Sequence, residues 1–191
     1  MKCYIDIGTN SMGGYKNLLE ELKIDDTWQK IFVEPNPEHW EIDTIDKKID
    51  KIPNAILLKN AVSSENYFCY LYTRSDLVGH TGDSAATIQS LDFLKKSIGD
   101  KFTQNAKYKQ YLVECITIED IFKITDADEL YIKIDAEGSE FDILDKFPFE
   151  YLPRVKRMFV EFHCQNKEMT ETKYSLINKF EQLGLQIENW D

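Results

Sequence analysis

Short apolar runs separated by longer amphipathic segments recur along this chain, and that alternation is its strongest constraint. Residues 3–7 read as a buried strand, followed by a glycine-containing turn and a helix near 14–22. Residues 30–34 form a second strand, closed by Pro35 and Pro37. Helical spacing over 38–51 puts Trp40, Ile45 and Ile49 on one face, and 55–59 is a third strand. Two more strands, 66–73 and 110–116, enclose a polar segment that is loop-like over 74–87 and helical over 88–98. Thr117 is expected to cap a helix through Ile124, with Asp120 at its third position. Strands at 129–134, 155–162 and 185–190 then alternate with helices at 139–146 and 171–183. Strands separated by helices build parallel β-α-β units. The apolar character of 130–134 and 158–162 fits strands covered on both faces.

No internal repeat, low-complexity tract or Pro/Gly/Ser linker divides the chain, so residues 1–191 are expected to form a single domain. The formal net charge of -11 repels phosphate backbones, which excludes nucleic acid as the expected partner. The four cysteines (Cys3, Cys69, Cys115 and Cys164) are scattered without a CxxC pair, as expected of free thiols in a reducing compartment. The first residues already form a core strand rather than a signal peptide, and no apolar stretch reaches the roughly 20 residues needed to span a bilayer. A soluble, cytoplasmic protein is expected.

In sheets of this kind ligands bind beyond the carboxyl ends of the strands, near the switch in strand order. Four polar clusters stand at such ends. The first is Asp6-Ile7-Gly8-Thr9-Asn10, where Gly8 permits a tight turn and close approach of backbone to ligand. Asp6 is placed to accept a hydrogen bond from a bound ammonium group. The second is Glu34-Pro35-Asn36-Pro37, in which Glu34 follows the glycine turn at the distance of an acidic residue that binds ribose hydroxyls. A dinucleotide site needs G-x-G-x-x-G, whereas polar Asn10 stands at the second glycine here. That suits an amino-acid tail better than a pyrophosphate.

The third cluster, Asp135-Ala136-Glu137-Gly138-Ser139-Glu140, ends an apolar strand in three carboxylates around one glycine. Asp135 and, just outside the cleft centre, Glu137 are the candidate catalytic carboxylates. Glu140 falls in the first turn of a helix, where the dipole favours a carboxylate with or without a functional role. The fourth cluster is Glu161-Phe162-His163, whose two polar residues share one side of a strand. His163 is a candidate base beside Asp135. Alternatively, Asp135, Glu161 and His163 are ligands for Mg²⁺ or another divalent cation.

Together these clusters resemble the FkbM-type family of S-adenosylmethionine-dependent methyltransferases. The matching runs are Tyr4-Ile5-Asp6-Ile7-Gly8-Thr9-Asn10, Val33-Glu34-Pro35-Asn36-Pro37, Asn60-Ala61-Val62-Ser63 and Ile132-Lys133-Ile134-Asp135-Ala136-Glu137-Gly138-Ser139-Glu140. The resemblance implies a Rossmann-like class I methyltransferase sheet, mostly parallel with an antiparallel C-terminal strand. The segment from about 66 to 116 is then an inserted two-strand and helix unit. It implies S-adenosyl-L-methionine as cofactor and a hydroxyl of a sugar, glycan or related small molecule as acceptor. Asp6, Gly8, Thr9 and Asn10 would hold the methionine moiety. Glu34 would bind the ribose with Asn36 nearby, Asn60 and Ala61 would line the adenine pocket, and Asp135 would stand where cofactor and acceptor meet. The run Gly82-Asp83-Ser84-Ala85 matches a loop over the active site, so Arg74, His80, Asp83 and Ser84 are expected to bind the acceptor. Many relatives cover the cleft with N-terminal helices; here a second subunit is expected to do so. The alternative readings are an NAD-linked oxidoreductase and a non-catalytic nucleoside-binding relative.

Overall fold

In the computed structural model, which describes residues 1–10, 12–41, 45–74, 86–98 and 107–190, the chain opens with β1 (Lys2–Ile7), α1 (Gly13–Glu21) and β2 (Gln29–Val33). Next come α2 (Pro37–Glu41), α3 (Ile45–Ile49), β3 (Ala55–Leu58), β4 (Ala61–Ser63) and β5 (Tyr67–Arg74). It continues through β6 (Ala86–Thr87), α4 (Leu91–Ile98), β7 (Tyr108–Thr117), α5 (Ile118–Lys123) and β8 (Glu129–Ile134). The last elements are α6 (Glu140–Asp145), a 3₁₀ turn (Phe149–Arg154), β9 (Val155–Val160), α7 (Lys167–Gln182) and β10 (Ile187–Asn189).

Six strands form one sheet in the order β10-β9-β8-β1-β2-β3, and every neighbouring pair is parallel. This is a Rossmann-like α/β sheet, as the alternating pattern requires. Alternate residues of β1 feed opposite faces. Cys3, Ile5 and Ile7 pack with Leu130, Ile132 and Ile134 of β8 against α5, α6 and α7. Tyr4 packs with Phe32, Phe159 and the α1 residues Tyr15 and Leu18 on the other face. Both faces are therefore covered, which is why strands of this sheet read as apolar runs.

The C-terminal strand corrects an expectation. β10 pairs with β9 in parallel, through Ile187↔Met158 and Asn189↔Val160, rather than antiparallel. The cause is α7, whose sixteen residues carry the chain back along the sheet before β10 begins. That helix also starts earlier than its apolar pattern, because Asn166 accepts a hydrogen bond from the Met169 amide and caps it. The expected helix over 38–51 is helical through α2 and α3 among the described residues, 42–44 lying outside them.

The insertion builds a second, four-stranded sheet of order β4-β7-β5-β6. β5 and β7 pair antiparallel along their length from Tyr67↔Cys115 to Arg74↔Tyr108. β4, which no sequence pattern announced, joins β7 in parallel. All four cysteines are free thiols. Among the described residues no helix is long and apolar enough to cross a membrane.

β7 passes directly into α5 through a capping box. The Thr117 hydroxyl accepts from the Asp120 amide at 3.2 Å, and the Asp120 carboxylate accepts from the Thr117 amide at 3.1 Å. The buried residues Ile118, Ile121 and Phe122 of α5 join the main core. Thr117→Ala is expected to cost about 1 kcal/mol, the usual loss of a helix N-cap. Urea unfolding should show a lower midpoint with an unchanged slope; an unchanged midpoint would rule the cap out as a source of stability.

Candidate active site

Sheet order reverses between β1 and β8, so the crevice opens where their C-terminal ends diverge. Gly8 closes β1 with φ +76°, and its amide donates to the Val33 carbonyl at 2.9 Å. Beside it, the Asp135 amide donates to the Ile7 carbonyl at 3.0 Å. A Cβ on Gly8 would lie 1.8 Å from the Asp135 carbonyl oxygen, so only glycine allows the turn and the end of β8 to meet. Three further residues here are left-handed without being glycine: Asn10 (φ 47°), Met12 (φ 69°) and Glu137 (φ 48°). Such backbone costs about 1–3 kcal/mol at each position and gathers at functional sites.

The crevice is a cleft lined by Gly8, Asn10, Glu34, His39, Asn60, Ala61, Asp135 and Glu137, with Val62, Leu71 and Ile88 among its apolar wall residues. Its mixed lining, apolar walls with a few convergent polar groups, is that of small-molecule sites. Glu34, at the end of β2, is nearly buried, and burial raises its pKa against the opposing pull of His39 and two backbone amides. One carboxylate oxygen accepts from the Asn10 amide at 2.7 Å and the other from the Asn36 amide at 2.8 Å. A carboxylate has about four lone-pair positions, so each oxygen keeps acceptor capacity for a vicinal diol. This donor and acceptor set, with a glycine cradle beside it, fits the ribose and amino-acid parts of S-adenosylmethionine.

The far side of the turn is acidic. Glu140 is fully buried, accepts from the Ala136 amide at 2.9 Å and the Gly138 amide at 2.9 Å, and is 2.8 Å from His163 Nδ1. That contact fixes the imidazole, whose Nε2 faces Glu137 at 3.3 Å, Glu161 at 3.5 Å and Asp135 at 3.9 Å. Burial alone would discharge His163, but the hydrogen bond to Glu140 and the surrounding carboxylates outweigh it and raise its pKa to about 10. Burial pushes Glu137 up to about 7, with His163 pulling against it and the other carboxylates adding to it. At neutral pH His163 is therefore the cation of the cluster, not a ready base. Asp135 and Glu137 line the cleft together with Glu34 and His39.

Most sequence-predicted residues meet at this place. Gly8, Asn10, Glu34, Asn60, Ala61, Asp135 and Glu137 line one cleft, and one ligand atom each of Asp135, Glu161 and His163 lie within 4.8 Å of one another. Asp6, Thr9 and Asn36 instead lie in its foundations. Asp6 is fully buried beside Lys133, the Thr9 hydroxyl donates to the Asp6 carbonyl, and Asn36 accepts from the Glu38 amide. Arg74 is buried at the end of β5, while His80, Asp83 and Ser84 fall outside the described residues. Sequence reasoning missed the buried Lys133 and the grip of Glu140 on His163. It also missed the Thr87 hydroxyl, which donates to the Glu137 carbonyl at 2.7 Å. A lysine two residues before Asp135 in an otherwise apolar run was the available signal for the first.

The family model for the methyltransferase FkbM domain matches residues 6–187, nearly the whole chain, and the protein belongs to that family. No curated protein and no solved structure shows significant similarity to it.

Gly8 and Gly184 offer a matched test of the turn. Both have positive φ, but nothing lies within 4 Å of a Cβ added at Gly184. Gly184→Ala should cost only the about 1–2 kcal/mol of a left-handed alanine. Gly8→Ala should cost clearly more, read from urea midpoints. Equal losses would show that the β1 turn does not depend on its contact with Asp135.

Proposed function

We propose that this methyltransferase uses S-adenosylmethionine and methylates a hydroxyl of a sugar, a glycan or a related small molecule. One observation carries the reading: Glu34 and the pair Asp135 and Glu137 line a single cleft from strand ends on either side of the Gly8 turn. S-adenosylmethionine, when bound, supplies an electrophilic methyl group on a sulfonium centre. Glu34 is placed for the ribose hydroxyls, and Asn60 and Ala61 for the adenine. The backbone from Gly8 to Asn10 is left for the methionine portion.

Displacement at a methyl group demands in-line approach of the acceptor oxygen, and ideal alignment is worth about 7–11 kcal/mol. An alkyl hydroxyl must also lose its proton. A carboxyl group with a pKa near neutrality is matched to that task, and Glu137 is raised to about 7 by burial and its acidic neighbours. Asp135, at the end of the central strand, orients the hydroxyl. His163, held by Glu140, balances the negative charge behind both carboxylates. A cleft wall of carboxylates accepts O–H donors and repels phosphates, which favours polyhydroxylated acceptors over nucleic acid.

A second reading has its own observation, the convergence of Asp135, Glu161 and His163 within 4.8 Å. An oxygen-rich set with one imidazole suits a hard divalent cation such as Mg²⁺ better than zinc. Those residues would hold the cation, whose chemistry is to lower the pKa of a coordinated hydroxyl.

Calorimetric titration with S-adenosylmethionine and with NAD, followed by incubation with a panel of monosaccharides and glycans, tests the assignment. Binding of the first cofactor alone and a mass gain of one methyl group on a panel member are expected; binding of NAD alone would overturn it. Asp135→Ala should abolish turnover while leaving cofactor affinity nearly intact, and Glu137→Gln should slow turnover by about 10²–10⁴-fold, the usual worth of a general base. Full activity in either variant would remove that residue from the chemistry. Treatment with EDTA separates the two readings of the acidic end: loss restored by Mg²⁺ supports the cation, and undiminished turnover leaves the carboxylate base alone.

A further inference from the structure

Asp6 and Lys133 stand opposite each other in the parallel register of β1 and β8. Both follow a tyrosine by two residues (Tyr4 and Tyr131), so they extend the aromatic α1 face of the sheet up to the cleft floor. Their side chains are 0% and 3% exposed. Lys133 Nζ lies 3.3 Å from Asp6 Oδ1, donates to the Gly8 carbonyl at 2.9 Å, and donates to Asp135 Oδ2 at 3.2 Å. The start of α1 is shaped around its stem: a Cβ on Gly14 would lie 2.9 Å from Lys133 Cε.

We infer that Lys133 is the positioning residue of the site, a buried ammonium seated on Asp6 that ties the Gly8 turn to the Asp135 carboxylate. The inference rests on the cofactor reading above and deepens it. It also reassigns Asp6, which is enclosed beneath the turn and acts on a bound ligand only through Lys133.

Stability alone does not account for the pair. Taking both charges out of water is costly, and apolar side chains of similar volume often serve a core as well. What apolar side chains lack is the geometry. One ammonium pairs with the Asp6 carboxylate and donates hydrogen bonds to two further acceptors, one on the Gly8 turn and one at the end of β8. Both acceptors belong to elements that line the cleft, the Gly8 turn and Asp135. Without Lys133 the Asp135 carboxylate would lose its partner on the cleft floor, and the Gly8 carbonyl would be left without its donor.

The test measures affinity for S-adenosylhomocysteine by calorimetry, with urea unfolding alongside to report stability separately. Lys133→Met is expected to weaken binding by about 10- to 100-fold, the range found for outer groups that orient a site. Asp6→Asn, which keeps the shape and leaves Lys133 its other two acceptors, is expected to weaken it less. A direct contact between Asp6 and ligand would reverse that order and overturn the inference. The double variant Asp6→Leu/Lys133→Met removes both buried charges and should recover stability relative to Lys133→Met without recovering affinity. Wild-type affinity in that double variant would reduce the pair to a structural one. Failure of the wild-type protein to bind S-adenosylhomocysteine would instead reject the cofactor reading, and this inference with it.

Discussion

The contact between the β1 turn and the end of β8 sets the dimensions of the site, because a single added carbon on Gly8 would fall 1.8 Å from the Asp135 carbonyl oxygen. Two parallel strands ordinarily diverge where the sheet order reverses, and the crevice between them is as wide as their following loops permit. Here the backbone itself draws the two loops together. The Asp135 amide bonds to Ile7, the Gly8 and Thr9 amides both bond to Val33, and the Glu34 amide bonds to Leu58. Four strand ends are thereby fixed relative to one another before any side chain contributes. Glu34, Asp135 and Glu137 inherit their spacing from that backbone.

Around this frame the charges are unequal. Asp135, Glu137, Glu140 and Glu161 surround one imidazole, and Asp6 and Asp135 share one ammonium. Burying so many carboxylates is tolerable only where each has donors or a cation to meet it. Glu140 is met fully, by two backbone amides and His163, and so acts as a clamp that holds the loop after β8. Among the described residues Glu137 is met by His163 alone, a histidine already committed to Glu140, and burial, with its acidic neighbours adding, raises its pKa to about 7. A poorly compensated carboxylate at the edge of a cleft is a proton acceptor in waiting. A divalent cation bound there would have to displace the proton from His163, so the two readings of the acidic end differ in which cation meets the carboxylates.

What the sequence made legible was the set of polar residues that interrupt apolar runs at strand ends. Asp6-Ile7-Gly8, Val33-Glu34 and Ile134-Asp135 stood out because a carboxylate at the end of a buried strand needs a reason. Its place inside such a run marked Lys133, but not what it does, since its partner Asp6 is distant in the chain and only the strand register brings them together. His163 was recognised as part of the site, but its state depends on Glu140, placed against it by tertiary packing. The direction of β10 escaped for a similar reason, because a three-residue strand carries no mark of orientation and α7 decides it. β4 is equally short and takes its place from β7.

The insertion is fastened on both sides of the cleft, and this bears on what it can do. On one side Glu38 of α2 accepts from Thr73 of β5 at 3.1 Å and from Lys109 and Tyr111 of β7 at 2.5 and 2.9 Å. On the other, Phe93 of α4 fills the space over Gly138, and its carbonyl accepts from Gln165 at 2.7 Å. Thr87 of β6 holds the carbonyl of Glu137. The second sheet therefore spans from the segment following Glu34 to the loop that carries Glu137. A shift of β6 is transmitted through one hydrogen bond to the residue whose carboxylate is poised near neutrality.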